Sequence, residues 1–223
     1  MYRLVRSRRK TLGIYVNREA EVEVRAPLNM SESYIDRFVR SRQAWIDKAV
    51  SDRSLVKTAR EAFKLTYGDM VLYRGQPIQV VSGQTSRPFY DGAAFVLPEG
   101  LSDEEIKKAS IDVYKAEARK YIAERLDYLA KKVSVTPAGM RISSARTRWG
   151  SCSANQNLNF SWRLIMASDE AIDYVIIHEL AHLKELNHSQ RFWALVQSAA
   201  PDHKSAKAHL RQLHKRLSTE NWS

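Results

Sequence analysis

Polarity alternates along the start of the chain. Val22 and Val24 face one way, Glu21 and Glu23 the other, and residues 11–16 alternate similarly. Successive strand residues point to opposite faces, so this period predicts two strands with one buried side. The polar turn Asn17-Arg18-Glu19 joins them into a β-hairpin, with the basic residues before it as its leading edge. From 31 to 50 the period changes. Ile35, Phe38, Val39, Trp45, Ile46 and Val50 recur at three- and four-residue steps, which predicts one amphipathic helix with Ser31 or Ser33 as its cap. Residues 67–100 carry glycine, proline and short β-rich runs at 70–73, 78–81 and 93–97, and these predict more strands.

Ser102 and Glu105 then spell a capping box, and a long helix should run to about residue 132, with Ile106, Ala109, Val113, Ile122, Leu126 and Leu129 inward. Pro137 and Gly139 break that pattern. Residues 141–147 and 158–166 read as paired strands about the polar turn 154–157. A helix over 169–186, capped by Ser168, follows, and then two more over 190–199 and 204–217, separated by Pro201. The expected class is α+β. An N-terminal β-rich region with one helix should span 1–100, and a catalytic domain 101–223, where a strand pair sits between two long helices.

The chain of 223 residues is 44% apolar and 27% charged, enough for a core without disulfide staples. The single cysteine, Cys152, has no internal partner, and no apolar run approaches the roughly 18 residues of a membrane span. A soluble protein of the reducing cytoplasm, without a membrane partner, is expected. The formal charge of +11 favours polyanions, so nucleic acid or nucleotide joins the candidate partners.

All six histidines lie between His178 and His214. Two of the six sit in one stretch, His178-Glu179-Leu180-Ala181-His182, an H-E-x-x-H sequence. On a helix, residues i and i+4 lie about 40° apart, so both imidazoles can reach one metal. Glu179 falls beside them, placed to act on water as a general base without being a ligand. Ile172, Ile176, Leu180 and Leu183 give the helix a buried face. His188 is the nearest third ligand. On an unbroken helix it would lie about 240° from His182, so it completes the site only if the helix stops and the chain turns back. Asn187 suits a left-handed helix terminus and Ser189 the cap of the next helix. Glu185, His203 and His209 are its rivals; otherwise His203, His209 and His214 read as solvated residues. Three histidines with an open fourth position would suit a catalytic zinc.

The run from His178 to Trp193, HELAHLKELNHSQRFW, resembles the YgjP-like metallopeptidases, with relatives among SprT-like zinc proteases. Arg148-Trp149-Gly150-Ser151-Cys152, Asn159, Arg163 and Asp173-Tyr174-Val175 match the same family, and looser similarity covers most of the chain. The resemblance implies a compact zincin fold, with a small antiparallel sheet beside the metal-bearing helix, and His188 as third ligand. No methionine follows His188, so the chain is not a metzincin. Tyr174, Asn159, Arg163 and Arg148 are candidate substrate-binding residues, although packing explains Tyr174 and the 148–152 segment equally well. The expected function is zinc-dependent hydrolysis of peptide bonds in a peptide or protein substrate. The alternatives are a metal-dependent nucleoside triphosphate pyrophosphohydrolase and a SprT-like, nucleic-acid-associated protease.

Overall fold

The N-terminal strands form as the alternation requires, in a computed structural model that describes residues 1–222. β1 (Arg3–Ser7), β2 (Gly13–Val16) and β3 (Val22–Pro27) make a sheet in the order β1-β3-β2. β2 and β3 are the antiparallel hairpin, and Asn17 Oδ1 closes its turn by accepting from the backbone N–H groups of Glu19 and Glu21. The basic start is a strand, parallel to β3. The single helix expected over 31–50 is two: α1 (Glu32–Ser41) and α2 (Gln43–Ala62). Arg42 breaks the run at φ −113°, ψ 11°, with its N–H bonded to Val39 C=O. Val24, Ala26, Ile35, Val39 and Ile46 form the core of this part. Trp45, expected inward, is exposed. It lies about 100° around α2 from Ile46 and cannot share its buried face.

Residue contacts divide the chain into two units, Met1–Phe63 with Leu217–Asn221, and Lys64–Arg216 with Trp222. The sequence-based division at residue 100 thus differs from the contact division after Phe63. Residues 70–98 fall in the second unit, because their strands pack on its long helix. These strands are β4 (Met70–Tyr73), β5 (Gln76–Gly83), β6 (Phe89–Tyr90) and β7 (Ala94–Pro98), in the order β4-β5-β7-β6. The helix is α3 (Asp103–Lys132), which starts with the expected capping box, Glu105 reaching back to the Ser102 N–H at 2.9 Å.

The next sheet departs from expectation. β8 (Gly139–Ser143), β9 (Gly150–Cys152) and β10 (Asn157–Ser161) lie in the order β8-β10-β9. β8 is parallel to β10 and only β9 is antiparallel to it, so the small sheet is mixed, not antiparallel. The polar turn joins β9 to β10, not β8 to β10. Residues Trp162–Met166, expected as strand, form a 3-10 turn capped by the Ser161 side chain. All five are buried, and uniform burial leaves no period from which to read the backbone.

Three helices complete the unit: α4 (Asp169–Ala181), α5 (Gln190–Ala199) and α6 (His203–Ser218, whose last two residues belong to the first unit). Two ion pairs tether α4 along its length, Arg74–Asp169 and Arg125–Asp173, each at 2.5 Å. The β4–β5 turn also reaches the start of α4. The φ of +76° at Gly75 favours glycine there, and a Cβ would crowd Ser168, lying 3.0 Å from its Cα.

Candidate metal centre

α4 carries the H-E-x-x-H run in its last turn, but it ends at Ala181 rather than at 186. His182 is the cap residue and stays right-handed at φ −65°, ψ −17°. The Leu183 and Lys184 N–H groups bond back to Leu180 and Ala181 carbonyls, and the chain turns there. The left-handed residue expected at Asn187 is absent from the described positive-φ positions. Ser189 does cap α5, its side chain accepting from Phe192 N–H at 3.2 Å. The reversal thus comes one turn earlier than the sequence suggests, and it brings His188 back over α4.

One nitrogen from each of His178, His182 and His188 lies within 4.8 Å of the others. The Nε2 atoms of His178 and His188 are 3.2 Å apart. Two imidazoles on one tetrahedral zinc would hold their nitrogens about 3.4 Å apart, given Zn–N of roughly 2.0–2.1 Å. The donor set therefore fits a metal ion. His182 Nδ1 lies 3.2 Å from the Glu185 carbonyl, which leaves its Nε2 for the cluster. His178 Nδ1 is buried without a hydrogen-bond partner among the described residues. Burial, then the neighbouring charges of His182, His188 and Lys207, lower the His178 pKa to about 4, so its imidazole is neutral and able to donate a lone pair. Glu185, a rival third ligand, instead lies 3.4 Å from the Ser189 hydroxyl.

Phe192 holds the triad from beneath. It is fully buried, with its ring 4.9, 4.6 and 4.7 Å from those of His178, His182 and His188. Glu179 is buried on the other side, against β9. Burial raises its pKa to about 7, against the charge of Arg148 and a hydrogen bond from the Cys152 N–H. The same burial, with Glu179 nearby, pushes the Cys152 thiol up. A cleft of about 170 Å³ opens between β9 and α6, lined by Trp149, Gly150, Tyr174, Val175, His178, Glu179 and Leu210.

The matched family model is the YgjP-like metallopeptidase domain, over residues 10–213. The chain belongs to the YgjP-like metallopeptidase family. No curated protein sequence matches significantly. Two solved structures are similar over part of the chain. The metallopeptidase zymogen of Pyrococcus abyssi abylysin is 22% identical, with a TM-score of 0.38 over 45% of this chain and 97% of that one. The metallopeptidase zymogen of Methanocaldococcus jannaschii jannalysin is 17% identical, with a TM-score of 0.37 over 41% and 94%. Family membership makes the chain a metal-dependent hydrolase of the peptidase type. No helix among the described residues is long and apolar enough to cross a membrane.

The candidate substrate-binding residues fall in different places. Tyr174 lines the cleft, its pKa raised by burial and then by the Glu179 charge. Arg148 is exposed next to Trp149. Asn159 pairs with Ser151 in the sheet. Arg163 is buried away from the cleft, stacked over Trp162 and donating to the Ser144 and Trp222 carbonyls. The histidines read as solvated are engaged: His209 Nε2 accepts from Ser168 N–H at the start of α4, and His203 stacks 6.4 Å from Tyr174. Sequence reasoning missed Phe192, Gly150 and the cleft-facing side of α6. The four-, three- and four-residue steps from His203 through Lys207 and Leu210 to His214 were the available signal for that side.

Proposed function

We propose that the chain is a zinc metallopeptidase in which His178, His182 and His188 hold the metal and Glu179 is the general base. What supports the reading is the convergence of three imidazole nitrogens beside a buried carboxylate at the floor of an open cleft. Zinc bound there would act as a Lewis acid on the scissile carbonyl and would acidify the attacking water. Glu179 takes the proton of that water and passes it to the leaving amine. The Cys152 N–H holds the carboxylate in place from β9. Tyr174, one turn before His178 and part of the cleft lining, would donate to the developing oxyanion. β9 is an edge of its sheet, so an extended peptide can add alongside it and lay its carbonyl over the centre.

The test is a substrate panel of peptides, a denatured protein and nucleoside triphosphates, given to the zinc-loaded protein and its Glu179→Gln variant. The expected result is peptide cleavage that falls at least about 10²-fold in the variant with metal content unchanged. Equal rates in the two proteins would remove Glu179 from the mechanism. Hydrolysis confined to nucleotides would replace the peptidase reading.

A further inference from the structure

The cleft beside His178 and Glu179 has apolar walls drawn from three parts of the chain. Leu210 comes from α6, Val175 from α4, and Trp149 from the residue before β9. Leu210 and Val175 are buried, and Trp149 is half-buried. The His214 ring, on α6, meets Trp149 edge to face at 6.3 Å and backs it on one side. Among the described residues no lysine or arginine lines the cleft, and its one carboxylate is Glu179, buried at the floor. The volume is about 170 Å³. Sites that enclose a whole small molecule take roughly 300–1,000 Å³, so this one has room for a single side chain of a longer substrate.

We infer that Leu210, Val175 and Trp149 form a specificity subsite, which selects peptides with a bulky apolar side chain next to the scissile bond. The inference rests on the peptidase reading above and names its substrate class. The subsite shares its lining with His178 and Glu179, the groups which that reading puts at the reaction. A side chain that enters it therefore belongs to a residue flanking the bond that is cut. An apolar side chain gains there by leaving water, and each methylene in such a pocket is worth roughly 10–200-fold in selectivity. A glutamate would bring a second negative charge against Glu179, with no lysine or arginine in the lining to offset it. A lysine would pair with Glu179 and occupy the carboxylate that must take the proton of water. Leu210 stands on α6, away from the helix that carries His178 and Glu179, so its size can be changed without replacing a residue of the metal centre.

The experiment gives the zinc-loaded protein a peptide series with alanine, valine, leucine, phenylalanine, glutamate or lysine at each position flanking the scissile bond. At one of the two positions, leucine or phenylalanine should exceed alanine by at least about tenfold in kcat/KM, with glutamate and lysine below both. Leu210→Ala should move the preference toward phenylalanine, and Leu210→Phe should move it toward alanine, each by at least about tenfold in the ratio. A ratio between two peptides does not depend on how much of a variant is folded, so a loss of stability leaves the readout intact. Leu213→Ala, at a buried position of the same helix outside the cleft lining, should keep the wild-type order. By calorimetry, the leucine peptide should also bind the zinc-loaded Glu179→Gln protein more tightly than the alanine peptide does. Cleavage indifferent to both flanking side chains would overturn the subsite and leave the peptidase reading intact. So would a preference for lysine, or the wild-type order in both Leu210 variants. Leucine-selective binding with no peptide cleaved would keep the subsite and overturn the peptidase reading.

Discussion

Gly150 backs directly onto Glu179. A Cβ at position 150 would lie 2.7 Å from both Cγ and Oε1 of that carboxylate, closer than real Cβ contacts allow. Gly150 is also flanked by the residue that lines the cleft, Trp149, and lies two residues before Cys152, whose N–H bonds Glu179. The 148–152 segment is therefore the surface against which the candidate base is set.

Gly150→Ala should push Glu179 out of line without touching a histidine. A displacement near 1 Å corresponds to a loss of about 10²-fold in kcat. Zinc content, measured by atomic emission, should stay at the wild-type level. Full activity in Gly150→Ala would show that the base tolerates the shift.

Phe192→Ala should destabilise the protein by about 3–5 kcal/mol, the usual range for removing a fully buried aromatic ring. It should also weaken zinc binding, because the ring packs on all three imidazoles. Phe192→Leu should lose less of both. Denaturant unfolding and a zinc titration check the two effects separately.

Zinc should raise thermal stability, since the triad is assembled only when α4, the 182–188 turn and α5 are in place. At one hundred times the dissociation constant the gain is about 2.7 kcal/mol. A chelator should reverse it. His188→Ala should abolish the zinc-dependent shift in Tm, and survival of the shift would place the third ligand elsewhere.

The Arg74–Asp169 pair should make stability depend on pH in acid. Arg74 holds the Asp169 carboxyl below its ordinary value, through its hydrogen bond, with burial opposing and Tyr121 assisting. A lowered folded pKa stabilises above the unfolded value, about 3.9, and the contribution fades as pH falls through the folded one. Arg74→Met should therefore be less stable than the wild type at neutral pH. The difference should shrink below about pH 4 in urea unfolding.

The parts of the site that were legible in the sequence depend on local geometry. His178, Glu179 and His182 follow from helical spacing, and Ser189 was readable as a cap. The turn to His188 was foreseen, but with its helix end misplaced. Backbone bonds at 183 and 184 stop α4 early, and no polar or glycine signal marks Ala181. The 3-10 turn at Trp162–Met166 was hidden for a related reason. A fully buried segment has no polar face to reveal its period. The parallel pairing of β8 with β10 is a choice between partners, and alternation in either strand is silent about it.

What the sequence determined by itself was a set of short-range relations: the β2–β3 hairpin, the capping box that starts α3, two histidines and a glutamate on one helical turn, and an excess of positive charge. Each depends on residues a few positions apart, where backbone geometry sets the distance. What only the tertiary structure decided was who faces whom. Phe192 came under the triad, Gly150 against Glu179, and Leu210 of α6 into one cleft with Trp149. Those contacts join residues far apart in the chain. Their distances are set by how helices and sheets pack around a shared core, and no local pattern encodes that.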